Sequence, residues 1–272
     1  MSLSPSQKDK VYIYAGPGAS QVALDHTNHS LRQFLHPRYQ IQTLTPKEIA
    51  EGQWAHEAVL FIMPGGADIF YARSLRGQGN QQIHNYVHNG GRYLGICAGA
   101  YYGGKHLHWA VGSPQEIIAE RNLAFYPDII EGPTLKPWDH KTNSGADIAS
   151  LYWKDTHEIF PTKYPLSIYY NGGGHFVNAS NHKNVTILAD YATTLPQKPA
   201  IVEISVNKGQ AILSSVHCEF SPHIMDLSDP YITPLVQQLM TTDHDRGTLM
   251  THLLNRLNIE TITLKPIEHR KG

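Results

Sequence analysis

The chain has 272 residues, 41% hydrophobic and 17% charged, with a formal net charge of -1 and a pI near 7.0. That is enough chain to bury a full core, too apolar for disorder, and too neutral to favour a nucleic-acid or membrane-surface partner. The polar start Met1–Lys10 lacks the apolar stretch of a secretory leader, and no run of about 18 apolar residues could span a bilayer. Two cysteines, Cys97 and Cys218, allow at most one disulfide. They read instead as free thiols of a reducing, cytoplasmic compartment.

In chain order, a first strand is expected at Val11–Ala15, followed by the loop Gly16-Pro17-Gly18-Ala19-Ser20 and a helix over about Gln21–Leu35. A second strand fits Gln40–Leu44. The unbroken apolar run Ala58–Met63 has the character of a parallel strand covered on both faces. It stops at Pro64-Gly65-Gly66-Ala67-Asp68. A helix near Asn80–Asn89 leads through Gly90-Gly91 into the strand Tyr93–Ile96. Short apolar runs alternating with helical patterns indicate βαβ units and a doubly wound, mostly parallel sheet of flavodoxin-like α/β class.

From about Lys105 to Lys163 the pattern breaks up around Pro114, Pro127, Pro133, Pro137 and Pro161, which predicts loops and short hairpins beside the sheet. Strands return at Leu166–Tyr170, Val185–Tyr191, Ala200–Val206 and Ala211–Val216. Asp229-Pro230 offers an N-cap and a first-turn proline for a helical C-terminal segment starting near 229. The organisation read from this is a polar tail at 1–10, one domain over 11–264 and a tail at 265–272.

Chemistry concentrates at two strand ends. Gly95-Ile96-Cys97-Ala98-Gly99 has the glycine spacing of a nucleophile elbow, with Cys97 at the turn into a helix whose positive end would favour a thiolate. Downstream, His217-Cys218-Glu219 follows an apolar strand. In an extended chain His217 and Glu219 share one side and Cys218 takes the other, giving a base with an orienting carboxylate. Backbone N–H groups of Ala98, next to the nucleophile, and of Gly66, on the glycine loop, are the natural oxyanion donors. Gly16, Pro17 and Gly18 lack phosphate-loop spacing and are expected to line a pocket at the carboxyl edge of the sheet, with Tyr101 beside it. Asn171-Gly172-Gly173-Gly174 demands close backbone approach, either to a ligand or to another loop. His84 and His88 stand four apart on a predicted helix without an evident third ligand, so no metal site is expected.

These motifs resemble the class I glutamine amidotransferase-like superfamily, in which a Gly-Gly loop, an elbow cysteine and a His-x-Glu pair follow in this order. The similarity is closer to the N-terminal amidotransferase-like domain of biotin-protein ligases and its stand-alone relatives. It is carried by Tyr14–Ser20, Met63–Asp68, Gly95–Gly104 and Tyr169–Gly174, and covers about residues 11–222. The resemblance implies a Cys97–His217–Glu219 triad acting on a small amide or acyl substrate without a cofactor, with a ligase or synthetase as partner protein. It equally allows a regulatory module that keeps the fold and turns over nothing. Two departures stand out. Tyr101-Tyr102 follows the elbow where glutaminases carry Gln or Met, and neither the Gly-Arg-Gly-Arg nor the Lys-Trp-Pro-Asn segment of a ligase core occurs. Biotin transfer by this chain alone is therefore not expected.

Overall fold

Three short crossovers build the half of the molecule that carries the cysteine. The structure, a computed structural model, describes residues 8–139, 141–154 and 165–262. Strand β1 (Lys10–Tyr14) leads into α1 (Gln21–Phe34), capped by Ser20, and then β2 (Gln40–Leu44). Helix α2 (Pro46–Glu51) precedes β3 (Ala58–Met63); α3 (Asp68–Ser74) and α4 (Gln78–His88) precede β4 (Arg92–Ile96). The apolar runs of β1, β3 and β4 are buried almost throughout, because helices cover both faces. Val11, Ile13, Leu60, Ile62 and Leu94 face α1 on one side, while Tyr12, Phe61 and Tyr93 face α2 and α4 on the other.

Past β4 come the short α5 (Ala98–Gly103), β5 (Gly104–Trp109), β6 (Ile117–Glu120) and β7 (Tyr126–Gly132). Then follow β8 (Ala146–Trp153), β9 (Leu166–Asn171), β10 (His175–Phe176), β11 (Val185–Tyr191), β12 (Pro199–Val206) and β13 (Gly209–Ser214). The main sheet has nine strands in the order β2-β1-β3-β4-β13-β12-β11-β8-β9. Its first five strands are parallel in the flavodoxin-like order.

The remaining four pairings are antiparallel, so the sheet is parallel in one half only, not mostly parallel. Connection length explains this at β12 and β13. They are joined by Asn207-Lys208 alone, and two residues can reverse a chain but cannot carry it back across a sheet. The middle region is also more ordered than loops and hairpins. β5, β6, β7 and β10 form a second sheet, and the eight-residue β8 joins the main one.

Two helices were not foreseen, α2 and α3. At the other end of the chain α6 (Thr233–Thr241) and α7 (Asp243–Arg256) form the C-terminal segment. The expected cap at Asp229 is a turn instead: its Oδ1 accepts the N–H groups of Tyr231 and Ile232, and the helix begins at Thr233 with Pro234 in its first turn. Leu249, Leu253 and Leu254 of α7 close the α1 side of the core. Among the described residues no helix is long and apolar enough to cross a membrane. Residues 1–7 of the expected tail at 1–10, the expected tail at 265–272 and the breaker Pro161 lie outside the described residues, and Lys10 belongs to β1.

Candidate active site

The sharp turn from β4 into α5 holds Cys97 at φ 51°, ψ -108°, a left-handed backbone that a non-glycine residue adopts only where its surroundings impose it. Those surroundings are backbone. A Cβ on Gly95 would lie 2.4 Å from Gly99 O, and one on Gly99 would lie 2.0 Å from Met63 O. The two glycines thus let α5 seat against β3 and β4, and Gly99 N–H donates to Pro64 O at 3.1 Å. Helix α5 has only six residues, so it sums few peptide dipoles.

His217 lies three residues beyond β13, its N–H donating to Tyr169 O at 2.9 Å. The chain there is a turn, closed by Phe220 N–H on His217 O, rather than an extended continuation of the strand. The turn still brings His217 Nδ1 to 2.8 Å from Glu219 Oε1, and both side chains are buried. Cys218 points away, its Sγ 3.6 Å from Met250 Sδ, and burial pushes its pKa up. Two residues that the sequence did not single out pin the turn: Ser30 Oγ donates to Glu219 O at 2.6 Å, and Arg246 donates to Cys218 O at 3.1 Å.

Burial disfavours a charged His217, but the neighbouring groups outweigh it. The Glu219 carboxylate, the charge of Cys97 and hydrogen bonds to both raise its pKa to about 10. The imidazolium is therefore the favoured form at neutral pH. Because this pKa is raised on folding, the stability it contributes is complete below the unfolded value near 6.5 and is lost as pH rises through the folded value. The melting temperature should fall between pH 6.5 and 10, and His217→Gln should flatten that slope. Melting curves of both proteins across this window check it.

Opposite the cysteine, the glycine loop is tied to the loop after β1. Ser20 N–H donates to Gly65 O and Ala67 N–H to Gly18 O, at 3.1 and 2.9 Å. Gly66 has φ 151°, and a Cβ there would stand 1.9 Å from Gly18 O. Tyr71, buried on α3, donates to both Pro64 O and Gly65 O, each at 3.1 Å. Among the described residues the N–H groups of Gly66 and Ala98 find no acceptor, whereas those of Ala67 and Gly99 do. Gly66 shares a cavity wall with Cys97, whereas Ala98 follows Cys97 in the chain without reaching that wall.

A cavity of about 380 Å³ opens over Cys97, His217, Gly65, Gly66 and Asn171. Gly16, Pro17 and Gly18 do not line it: Gly18 backs the Gly65-Gly66 loop, its carbonyl accepting the Ala67 N–H, Gly16 packs on Pro46, and the Pro17 carbonyl accepts the Tyr14 hydroxyl. Nor does Tyr101, which is buried beneath with its hydroxyl on Gly172 O at 3.1 Å. Gly172 and Gly173 are also absent from the wall. A Cβ on Gly172 would meet Trp138 at 2.7 Å and one on Gly173 would meet Ser215 O at 1.7 Å, so these glycines serve contact between loops. Asn171 does reach the cavity, and its carbonyl accepts the Cys97 thiol at 3.5 Å.

The sequence reading missed the aromatic wall. His26 of α1 stacks on Phe220 with ring centroids 4.0 Å apart, and Tyr169 stacks on the same ring at 4.8 Å. His26 Nδ1 accepts the Ser221 N–H, and burial followed by the nearby His217 charge lowers its pKa to about 4. It is a neutral ring at physiological pH. No spacing rule flags a lone histidine on a helix, so nothing in the sequence marked it. His84 and His88 stack at 4.0 Å on α4, and among the described residues no three potential metal ligands come together.

A parallel half-sheet in this strand order, covered by helices on both faces, defines a flavodoxin-like α/β protein. Within that class the chain belongs to the biotin-protein ligase N-terminal family, whose model matches residues 9–270. It is 34% identical over 213 residues to a biotin–protein ligase of Schizosaccharomyces pombe, spanning 78% of this chain but 33% of that one. An uncharacterized protein of Chlamydia muridarum is 32% identical over 91% of this chain and 96% of its own length. Among solved structures, a cytoplasmic protein of Salmonella typhimurium LT2 superposes with TM-score 0.50 at 12% identity, covering 91% of this chain and 99% of the other. A ThuA-like protein of Bacteroides uniformis does so with the same score and identity, over 91% and 94%. These two likenesses concern the fold.

Proposed function

We propose that this member of the biotin-protein ligase N-terminal family is a cysteine-dependent amidohydrolase or acyl transferase acting on a small amide or acyl substrate. The observation that carries the reading is the buried His217–Glu219 pair at 2.8 Å beside an elbow cysteine. With His217 protonated, the sulfur can stand as thiolate. It attacks the carbonyl carbon, forming a C–S bond while the C=O electrons move to oxygen, where the Gly66 and Ala98 N–H groups can receive the charge. His217 gives its proton to the departing amine as the C–N bond breaks, leaving a thioester on Cys97. It then takes a proton from water, or from an acceptor amine, as that group displaces the sulfur. Glu219 holds the ring in the tautomer that keeps Nε2 toward the sulfur. The kinship with biotin-protein ligases supports a ligase or synthetase as the partner served by this chemistry. Biotin transfer itself is not assigned to this chain.

The test is chemical. Incubation of the intact protein with 2-chloroacetamide, followed by peptide mass mapping, should place one adduct on Cys97 and none on Cys218. Glutamine is the first substrate to assay, by ammonia release, and Cys97→Ala should abolish turnover of any amide that is consumed. An adduct on Cys218, or on neither thiol, together with a Cys97→Ala protein that functions as before, would replace this reading with a regulatory module.

A further inference from the structure

Beyond the cysteine cavity lies a second one, of about 650 Å³, within the size range of small-molecule sites. Trp138 lines both cavities and is the wall between them. On the far side Trp138 meets Trp109 edge to face, ring centroids 5.6 Å apart, and Tyr101 braces Trp109 from behind at 5.5 Å. Gly172 makes this arrangement fit. It has φ 79°, and a side chain there would collide with Trp138 at 2.7 Å and crowd Trp109 at 3.3 Å. The aromatic pair is therefore built by buried neighbours and does not rest on the surface alone.

The charged groups lining this cavity are Lys136, Lys198 and Glu131. Lys136 is engaged with Asp147 at 3.2 Å. Lys198 makes no ion pair among the described residues, although its backbone is fixed by hydrogen bonds to Thr194 and Tyr191. His175 is buried in the same wall, with Nδ1 3.1 Å from Thr134 Oγ1, and burial together with the Lys198 charge lowers its pKa to about 4. It remains a neutral hydrogen-bonding group, and the countercharge in this cavity is Glu131, whose half-exposed carboxylate lies 4.0 Å from His175 Nε2.

The geometry points to a second ligand site, distinct from the cysteine cavity, for a planar aromatic acid: the ring against Trp109 and Trp138, the carboxylate toward Lys198. Flat indole faces select a ring, and an ammonium in no ion pair among the described residues selects an anion, against the competing carboxylate of the half-exposed Glu131.

Isothermal titration with 2-naphthoate and with its cationic counterpart 2-naphthylmethylammonium tests this on the whole chain. Saturable binding of the acid is expected, with the cation at least about tenfold weaker. Lys198 is only half-buried, so Lys198→Glu should fold normally and should reverse that preference. Trp109→Phe should weaken both ligands. Alkylating Cys97 beforehand should not abolish binding of 2-naphthoate, since the adduct fills the other cavity and meets this one only through the Trp138 wall. No saturable binding, equal affinity for acid and cation, indifference to Lys198→Glu, or loss after Cys97 alkylation would each overturn the site. The last outcome would place the ligand in the cysteine cavity instead.

Discussion

Replacing His217 with alanine is expected to slow alkylation of Cys97 by iodoacetamide at pH 6.5 by at least about tenfold, and by less as the pH passes the ordinary thiol range near 8.5. The reason is electrostatic. In the folded chain the imidazolium is favoured because a buried carboxylate lies 2.8 Å from its Nδ1 and the charge of Cys97 acts in the same direction. A positive ring beside sulfur stabilises the thiolate, which is the species that reacts. Without the ring the hydrogen-bond partner left to the sulfur among the described residues is the carbonyl of Asn171, and a carbonyl oxygen favours the thiol.

Glu219→Gln should have a smaller effect in the same direction. The amide can still hold the ring by a hydrogen bond but no longer supports its charge. Cys218 provides an internal control in every sample. It is fully buried against Met250, with its pKa pushed up, and should label last in both proteins. Rates for each thiol follow from peptide mass spectrometry over time. Equal rates for wild type and His217→Ala would show that the ring does not activate the sulfur.

The elbow and the dyad were legible in the sequence for different reasons. Gly95 and Gly99 flank Cys97 because backbone oxygens stand where their Cβ atoms would be, and that constraint is local enough to leave a five-residue signature. His217 and Glu219 were paired on the premise of an extended chain, yet they meet through a turn. The pairing survives because both conformations bring residues i and i+2 to one side. Helix α2 could have been read: Thr45-Pro46-Lys47-Glu48 is a capping box, with the Thr45 side chain on Glu48 N–H and the Glu48 side chain returning to Thr45.

Other features leave no local trace. Tyr71 and Ser30 act through contacts with residues far along the chain, and an aromatic or a serine on a helix carries no mark of its partner. The second sheet was hidden for a related reason. β6 alternates half-buried and exposed residues over four positions, with Ile118 60% exposed, so its pattern is that of a loop until β5 is found beside it. A glycine reads the same whether a ligand or another loop approaches it. Gly18 and Gly173 let one loop lie on another, and aromatic rings take part in lining the cysteine cavity.

Changing Gly173 to alanine is expected to cost at least about 3 kcal/mol of stability, a large effect for one methyl group. The added Cβ would sit 1.7 Å from Ser215 O and 2.8 Å from Ser215 C, which are backbone atoms that cannot rotate away. The glycine is held from its own side as well. Its carbonyl accepts Thr134 N–H at 2.9 Å and the Tyr170 hydroxyl at 2.8 Å, so retreat would break buried hydrogen bonds. Relief must come from the segment Ser215-Val216-His217, which carries the base. Melting temperature should therefore drop by roughly 6 to 12 °C, at 2–4 °C per kcal/mol for a domain of this size. In whatever fraction remains folded, Cys97 alkylation should slow toward the His217→Ala rate. Gly77→Ala is the matched control: its φ of 75° also disfavours a side chain, but nothing lies within 4 Å of the new atom. Conformational strain alone should cost it about 1 kcal/mol and leave Cys97 reactivity unchanged. If Gly173→Ala melts no lower than this control, the contact between the glycine loop and Ser215 does not hold His217 in place.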